Sequence, residues 1–171
     1  MTSMNIALRE IQRADAQEIA LLLKDGRVAL GTTTIPSGYG LHDADRWIES
    51  LATSVANRID HAIAAEGSGK LIGVISCSTL DMDTAPGNVA YWVGQDYWGR
   101  GVATRALALL LLDPAVRQRQ AVLEGRHLES NPASGRVLEK NGFQVVGHEM
   151  KPWRGGALVK LIKYSRGIEP P

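Results

Sequence analysis

Cysteine is all but missing from this chain, with one residue, Cys77, in 171. A single thiol cannot build an internal disulfide, and its place inside the apolar run 71–80 reads as a small buried hydrophobe rather than a nucleophile. Charge of one sign is missing too. Nineteen Lys and Arg stand against eighteen Asp and Glu, a net charge of +1 with no long block of either sign. A nucleic-acid or membrane-surface partner is therefore not expected, and the few aromatics, 5% of the chain, do not interleave with basic residues. The longest wholly apolar stretch, residues 106–112, has 7 residues, against the roughly twenty that span a bilayer. Residues 1–10 show neither a basic segment followed by a long apolar one nor a small-residue cleavage site, which predicts the cytoplasm. The histidines, His42, His61, His127 and His148, are scattered without a metal-like spacing, so no metal site is expected.

Glycine is what the chain has in excess, with 18 residues, most of them between periodic segments. At roughly 150 residues per domain the chain reads as one domain over 1–171, large enough to fold without a metal or disulfide. Strands are expected at 6–11, 59–65, 71–80, 88–94, 121–128, 143–150 and 157–164, and helices at 16–25, 43–57, 105–112 and 132–140. Asp15, with Glu18 three residues on, reads as the cap of the first helix, and Asp43 as the cap of the second. Asp113 and Pro114 read as the stop of the third. Residues 27–42 are rich in Gly, Thr and Ser and read as a long irregular segment, a candidate substrate wall or lid. Residues 165–171 read as a frayed tail. The order predicts an α/β (α+β) domain: a mixed central sheet of about seven strands with about four helices on both faces.

The most informative segment follows the fourth strand. Gly99, Arg100, Gly101, Val102, Ala103 and Thr104 lead straight into a helix, and glycines there let backbone N–H groups converge on an anion, a phosphate being the obvious guest. Filling Gly101 with a bulky side chain is expected to obstruct that loop. Further on, Asn131 and Pro132 form a helix start, and Asn141 and Gly142 a helix end.

The run Tyr91, Trp92, Val93, Gly94 through Tyr97, Trp98, Gly99, Arg100, Gly101, Val102, Ala103, Thr104, followed by Asn131, Pro132, Ala133, Ser134 and by Val137 to Phe143, resembles the GNAT superfamily of acetyl-CoA-dependent N-acetyltransferases. Within it the chain most resembles the branch of ribosomal-protein N-terminal acetyltransferases. The resemblance implies a GNAT-like fold and direct acetyl transfer from acetyl-CoA, as cosubstrate, to a primary amine, either a peptide or protein N-terminus or a small molecule. It implies that the backbone of Gly99 to Thr104, with Trp98 beside it, holds the coenzyme phosphates. Trp92 and Val93 would meet the pantetheine arm, as would Asn131, and Ser134 would lie near the thioester sulfur. A backbone N–H near Val93 is the implied oxyanion donor. Leu138 stands where many relatives carry a tyrosine, which leaves Ser134 as the hydroxyl for the leaving thiolate. Asn88 stands where relatives carry a glutamate, so the proton acceptor is left open between Glu124, His127, Glu129 and ordered water. Asn131 and Ser134 have a purely structural alternative, as helix cap and first-turn residue. Residues 27–42 and the turn 151–156 are expected to line the acceptor side, with Thr33, Tyr39, Asn88 and Trp153 among the residues there. A homodimer is admitted as an assembly. The competing function is a coenzyme A-binding domain that has lost turnover and acts as a sensor or structural partner.

Overall fold

The computed structural model describes residues 4–32, 34–54, 57–78 and 86–169. Among these, seven strands form one mixed sheet: β1 (Ile6–Arg9), β2 (Arg58–Ala65), β3 (Leu71–Ser78), β4 (Gly87–Val93), β5 (Val122–Leu128), β6 (Gln144–Pro152) and β7 (Leu158–Gly167). Their order is β1-β2-β3-β4-β5-β7-β6. Every neighbouring pair is antiparallel except β4 with β5, which is parallel. Seven of the eight β3 residues are buried, as a central strand covered on both faces must be. The tail starts later than the sequence suggests, because Ser165, Arg166 and Gly167 pair with Glu124, Leu123 and Val122.

Six α-helices occur among the described residues: α1 (Ala16–Leu23), α2 (Arg27–Leu30), α3 (Leu41–Ser54), α4 (Val102–Leu110), α5 (Pro114–Arg119) and α6 (Pro132–Lys140). None is long and apolar enough to cross a membrane. Pairing register sorts the side chains into two cores. Ile63, Ile75, Val89, Val93 and Leu123 face α4 and α6, where Leu107, Leu110 and Leu138 meet them. Ala62, Val74 and Trp92 point the other way, under Ile19 and Leu23 of α1 and Ala44 and Trp47 of α3.

Four local expectations are corrected. Asp15 does not cap α1. It closes a 3₁₀ turn (Arg13–Asp15) as the third residue after Gln12, and its carboxylate accepts from the Gln12 N–H at 2.8 Å while Arg9 grips it with two 2.8 Å bonds. Asp43 likewise lies inside α3 and reaches back to the Gly40 N–H at 2.9 Å. Asp113 and Pro114 do not merely stop α4: the Asp113 carboxylate accepts from the Ala115 N–H at 2.8 Å and Pro114 takes the first position of α5, where its missing donor costs nothing. The segment 27–42 also carries α2 and the start of α3, so its irregular part is shorter than expected.

Candidate active site

The site begins as a defect in the sheet. β4 pairs with β5 only over Gly87, Asn88 and Val89, after which the strands part. The Gly94 N–H donates to Ile72 O at 2.9 Å, and this fixes the phase of the antiparallel ladder with β3. Backbone groups of Ala90 and Trp92 turn to β3, so those of Tyr91 and Val93 turn to the gap. Trp98 Nε1 donates to the Val93 carbonyl at 2.6 Å, which leaves the Val93 N–H as the donor facing the opening.

On the α4 side the gap opens into a cavity of about 650 Å³, lined by Trp92, Val93, Trp98, Gly99, Gly101, Val102, Ala103 and Thr104 and, across from them, by Asn131, Ser134 and Val137. Gly101 is the residue before the helix, with φ +73°, and no side chain caps the first turn. The N–H groups of Val102, Ala103 and Thr104 therefore have no partner inside the helix and carry the positive end of its dipole. Arg27, Arg136 and Lys140 stand on the same rim. Free donors, a dipole and three cations suit a phosphate-bearing ligand, and the exposed β4 edge suits an amide-bearing arm.

Through the gap lies a second cavity of about 450 Å³. Ser76, Ser78, Asn88, Ala90 and Trp92 form its floor, with Tyr39, Trp47, Trp153, Arg58, Arg126, Lys151 and His127 around it. Its roof is tied down by Arg154, which donates to Ser37 Oγ at 3.2 Å, to Thr32 O at 3.3 Å and to Ile35 O. Among the described residues no carboxylate lines this cavity, and the cations are balanced from behind. Arg58 binds Asp60 at 2.6 Å, Arg126 meets Glu124 at 3.1 Å and Glu149 at 3.3 Å, and Lys151 lies 3.5 Å from Glu149. Burial pushes the Asp60 carboxyl above the usual carboxylate range, against the opposing pull of Arg58. Burial, with the Asp43 charge, pushes the Tyr39 phenol up to about 12.

The two cavities share Gly31, Thr32, Tyr91, Trp92 and Ser134. Tyr91 Oη donates to the Ser134 carbonyl at 2.9 Å and lies 2.9 Å from Ser134 Oγ. Burial pushes this phenol up to about 12. His127 is buried, 8% exposed, and its Nδ1 donates to Leu128 O at 2.7 Å, which turns Nε2 toward Gly135. A side chain at Gly135 would sit 2.6 Å from that nitrogen, so the glycine is what lets α6 lie this close.

Most of the residues expected around a coenzyme thus line one cavity. Arg100 does not, its side chain being exposed outside it. Asn131 lines the cavity and also accepts from the Ser134 N–H at 3.4 Å, so the capping geometry and a place at the site coexist. Tyr39, Asn88, Trp153 and His127 line the second cavity, whereas Thr33 lies outside the described residues. Glu124 lines neither cavity and is held by Arg126, and Glu129 is paired with Lys160 at 2.8 Å. Lys151, in the turn 151–156 expected on the acceptor side, lines the second cavity, whereas Arg27 and Val28, expected there with the rest of 27–42, line the larger one. Sequence reasoning passed over Arg58 and Arg126, and it quoted Tyr91 only as part of a strand motif. No local pattern marks Tyr91, since its partner Ser134 is 43 residues away. Among the described residues no group of three or more His, Cys, Asp or Glu side chains could hold a metal ion.

A split sheet with an uncapped helix start on one side and a second cavity on the other suits a transferase that takes a phosphate-bearing acyl donor. The family model for the acetyltransferase (GNAT) domain matches residues 5–144, and the chain belongs to that family. It is an acyltransferase whose acetyl donor is acetyl-CoA. No curated protein matches the chain significantly. Among solved structures, RimL, the ribosomal L7/L12 alpha-N-protein acetyltransferase in complex with coenzyme A, is similar at a TM-score of 0.86 and 18% identity, covering 100% of this chain and 98% of that one. The microcin C7 self-immunity acetyltransferase MccE, in complex with acetyl-CoA and AMP, is similar at a TM-score of 0.84 and 19% identity, over 95% and 92% of the two chains. The ribosomal-protein-S5-alanine acetyltransferase from Vibrio fischeri is similar at a TM-score of 0.83 and 19% identity, over 98% and 96%.

Proposed function

We propose that the acceptor is the primary amine of a peptide or protein N-terminus, or a small amine of similar bulk, and that it meets the acetyl group at Tyr91, Trp92 and Ser134. The observation that carries this reading is that two cavities of different chemistry share those residues through the gap between β4 and β5. The similar structures named for acetylating a protein α-amine or an alanine of a ribosomal protein support the acceptor class. So do the three cations that line the smaller cavity, Arg58, Arg126 and Lys151, which repel a polycation such as a polyamine or aminoglycoside.

When bound, acetyl-CoA supplies an already activated acyl group, and the protein's share is to bind, align and stabilise. The first-turn N–H groups of α4 hold the phosphates. The Val93 N–H faces the gap as a donor to an oxygen gaining negative charge. Asn88 has no basic atom at neutral pH, Glu124 is off the cavities, and the His127 ring is held by Leu128 O with Nε2 against α6. These placements favour loss of the amine proton to water ordered in the acceptor cavity, where Ser76, Ser78 and Asn88 offer polar partners.

The test is a panel of synthetic peptides with N-terminal Ser or Ala, free amino acids, an aminoglycoside and a polyamine, followed by release of free coenzyme A and mass gain at the amine. Turnover of the peptides, with a rate that rises as the amine deprotonates, is expected. Turnover of the polycations alone overturns the acceptor reading, and tight acetyl-CoA binding with no acetylated product supports the competing reading of a domain without turnover.

A further inference from the structure

Two hydroxyls meet where the cavities join, and among the described residues each finds its side-chain partner in the other. Tyr91 projects from β4 beside the gap, and Ser134 is the third residue of α6. Tyr91 Oη stands 2.9 Å from the Ser134 carbonyl oxygen and 2.9 Å from Ser134 Oγ. The Ser134 main chain is fixed in turn by Asn131, whose carbonyl accepts from the Ser134 N–H at 3.1 Å and whose side chain accepts from it at 3.4 Å.

A phenol has one proton, a serine hydroxyl has one, and a carbonyl has none. Two arrangements satisfy this triangle. In the first, Tyr91 donates to the carbonyl and Ser134 donates to Tyr91 Oη, which closes the pair on itself. In the second, Tyr91 donates to Ser134 Oγ, and the serine proton is freed to point into the cavity. The carbonyl then keeps its place in the α6 ladder. No heavy atom moves between the two, so the pair is ready to donate to an electron-rich guest at no cost in reorganisation.

We propose that Tyr91 is a positioning residue, which holds the Ser134 hydroxyl at the junction of the cavities and backs it with its own proton when Ser134 donates to the coenzyme sulfur. The proposal rests on the reading of the larger cavity as the coenzyme site. Because burial pushes the phenol up to about 12, above a free thiol at roughly 8.5, Tyr91 keeps its proton across the pH range in which the thiol ionises. The pair therefore stabilises the thiolate by a chain of charge-assisted hydrogen bonds, Tyr91 to Ser134 to sulfur, without giving a proton up. Leu138, one turn further along α6, brings no hydroxyl to share the task.

The experiment reads the bound thiol itself. Coenzyme A bound to the wild type, Tyr91→Phe, Ser134→Ala and the double variant is titrated by its thiolate ultraviolet absorbance, with dissociation constants and circular dichroism alongside. In the wild type the bound thiol should ionise about one pH unit lower than free coenzyme A, as a charge-assisted hydrogen bond demands. Ser134→Ala removes the depression, Tyr91→Phe removes about half of it, and the double variant matches Ser134→Ala alone. A 3-fluorotyrosine placed at position 91 keeps the shape, makes the phenol a stronger donor and deepens the depression. A wild-type titration in Tyr91→Phe, losses that add in the double variant, or no response to the fluorotyrosine overturns the proposal while leaving coenzyme binding intact. Failure of the folded wild type to bind coenzyme A overturns the coenzyme site and the proposal together.

Discussion

Replacing Gly101 separates two explanations of the phosphate loop. A Cβ added there would meet nothing within 4 Å, yet φ is +73°. No protein atom fills the space at this position, which lines the larger cavity, and the backbone conformation is restricted, so strain acts beside the expected obstruction of the loop. An alanine held in the left-handed region costs about 1–2 kcal/mol, of which 0.4–1 kcal/mol returns, roughly, because the unfolded chain also loses freedom. The net is about 1 kcal/mol, a fall in Tm of roughly 2–4 °C for a chain of this size. If the free loop relaxes and must be restored on binding, the same quantity weakens acetyl-CoA affinity about fivefold. Valine, branched at Cβ, should do worse on both counts. Asparagine is larger than alanine but tolerates positive φ, so it should do better than alanine. Scanning calorimetry and isothermal titration of the three variants against wild type read both quantities. An asparagine variant worse than alanine, or a valine variant that binds like wild type, would refute the conformational argument.

Two further perturbations follow from the geometry. Asp15 is buried, which alone would raise its pKa, but the bonds from Arg9 and the Gln12 N–H hold it below the usual carboxylate range. A depressed folded pKa contributes stability that is present above about pH 4 and lost as the pH falls through the lowered value, so Asp15→Asn should cost about 1–2 kcal/mol at neutral pH and flatten the acid limb of a Tm-against-pH curve. An unchanged acid limb contradicts this. Arg154 is exposed but ties the β6–β7 turn to Thr32, Ile35 and Ser37 over the acceptor cavity. Arg154→Ala should change stability by less than about 0.5 kcal/mol while raising the acceptor KM several-fold and leaving acetyl-CoA affinity alone, and steady-state kinetics with either substrate varied will show whether the effect falls on the acceptor side.

The sheet was readable because its strands alternate or run apolar between glycine-rich turns, and the α4 start was readable because Gly99 and Gly101 are a local pattern. Errors came where one residue type serves two positions. An Asp ahead of a helix satisfies a backbone donor from the N-cap or, from inside the first turn, by reaching back, and Asp15 and Asp43 both do the second. Asp113 and Pro114 serve equally to end α4 and to begin α5. The coenzyme side was legible in the same way, as a contiguous loop. The acceptor side was legible in part, in Tyr39, Asn88 and the turn 151–156, but Arg58 and Arg126 were not, because they lie on separate strands and are brought to the cavity only by the register of β2 and β5. Tyr91 and Ser134 meet for the same reason, through the parting of β4 from β5.

The central claim is that acetyl-CoA is held by the uncapped start of α4 and along the open edge of β4, with its acyl end delivered to the cavity junction. Amide hydrogen exchange with and without saturating acetyl-CoA tests it directly, since each donor that takes a ligand bond is protected. Exchange should slow in peptides covering residues 91–93 and 99–105 and stay unchanged along β6. Protection confined to the acceptor cavity around residues 58–60, or none at 99–105 despite measured binding, would contradict the account.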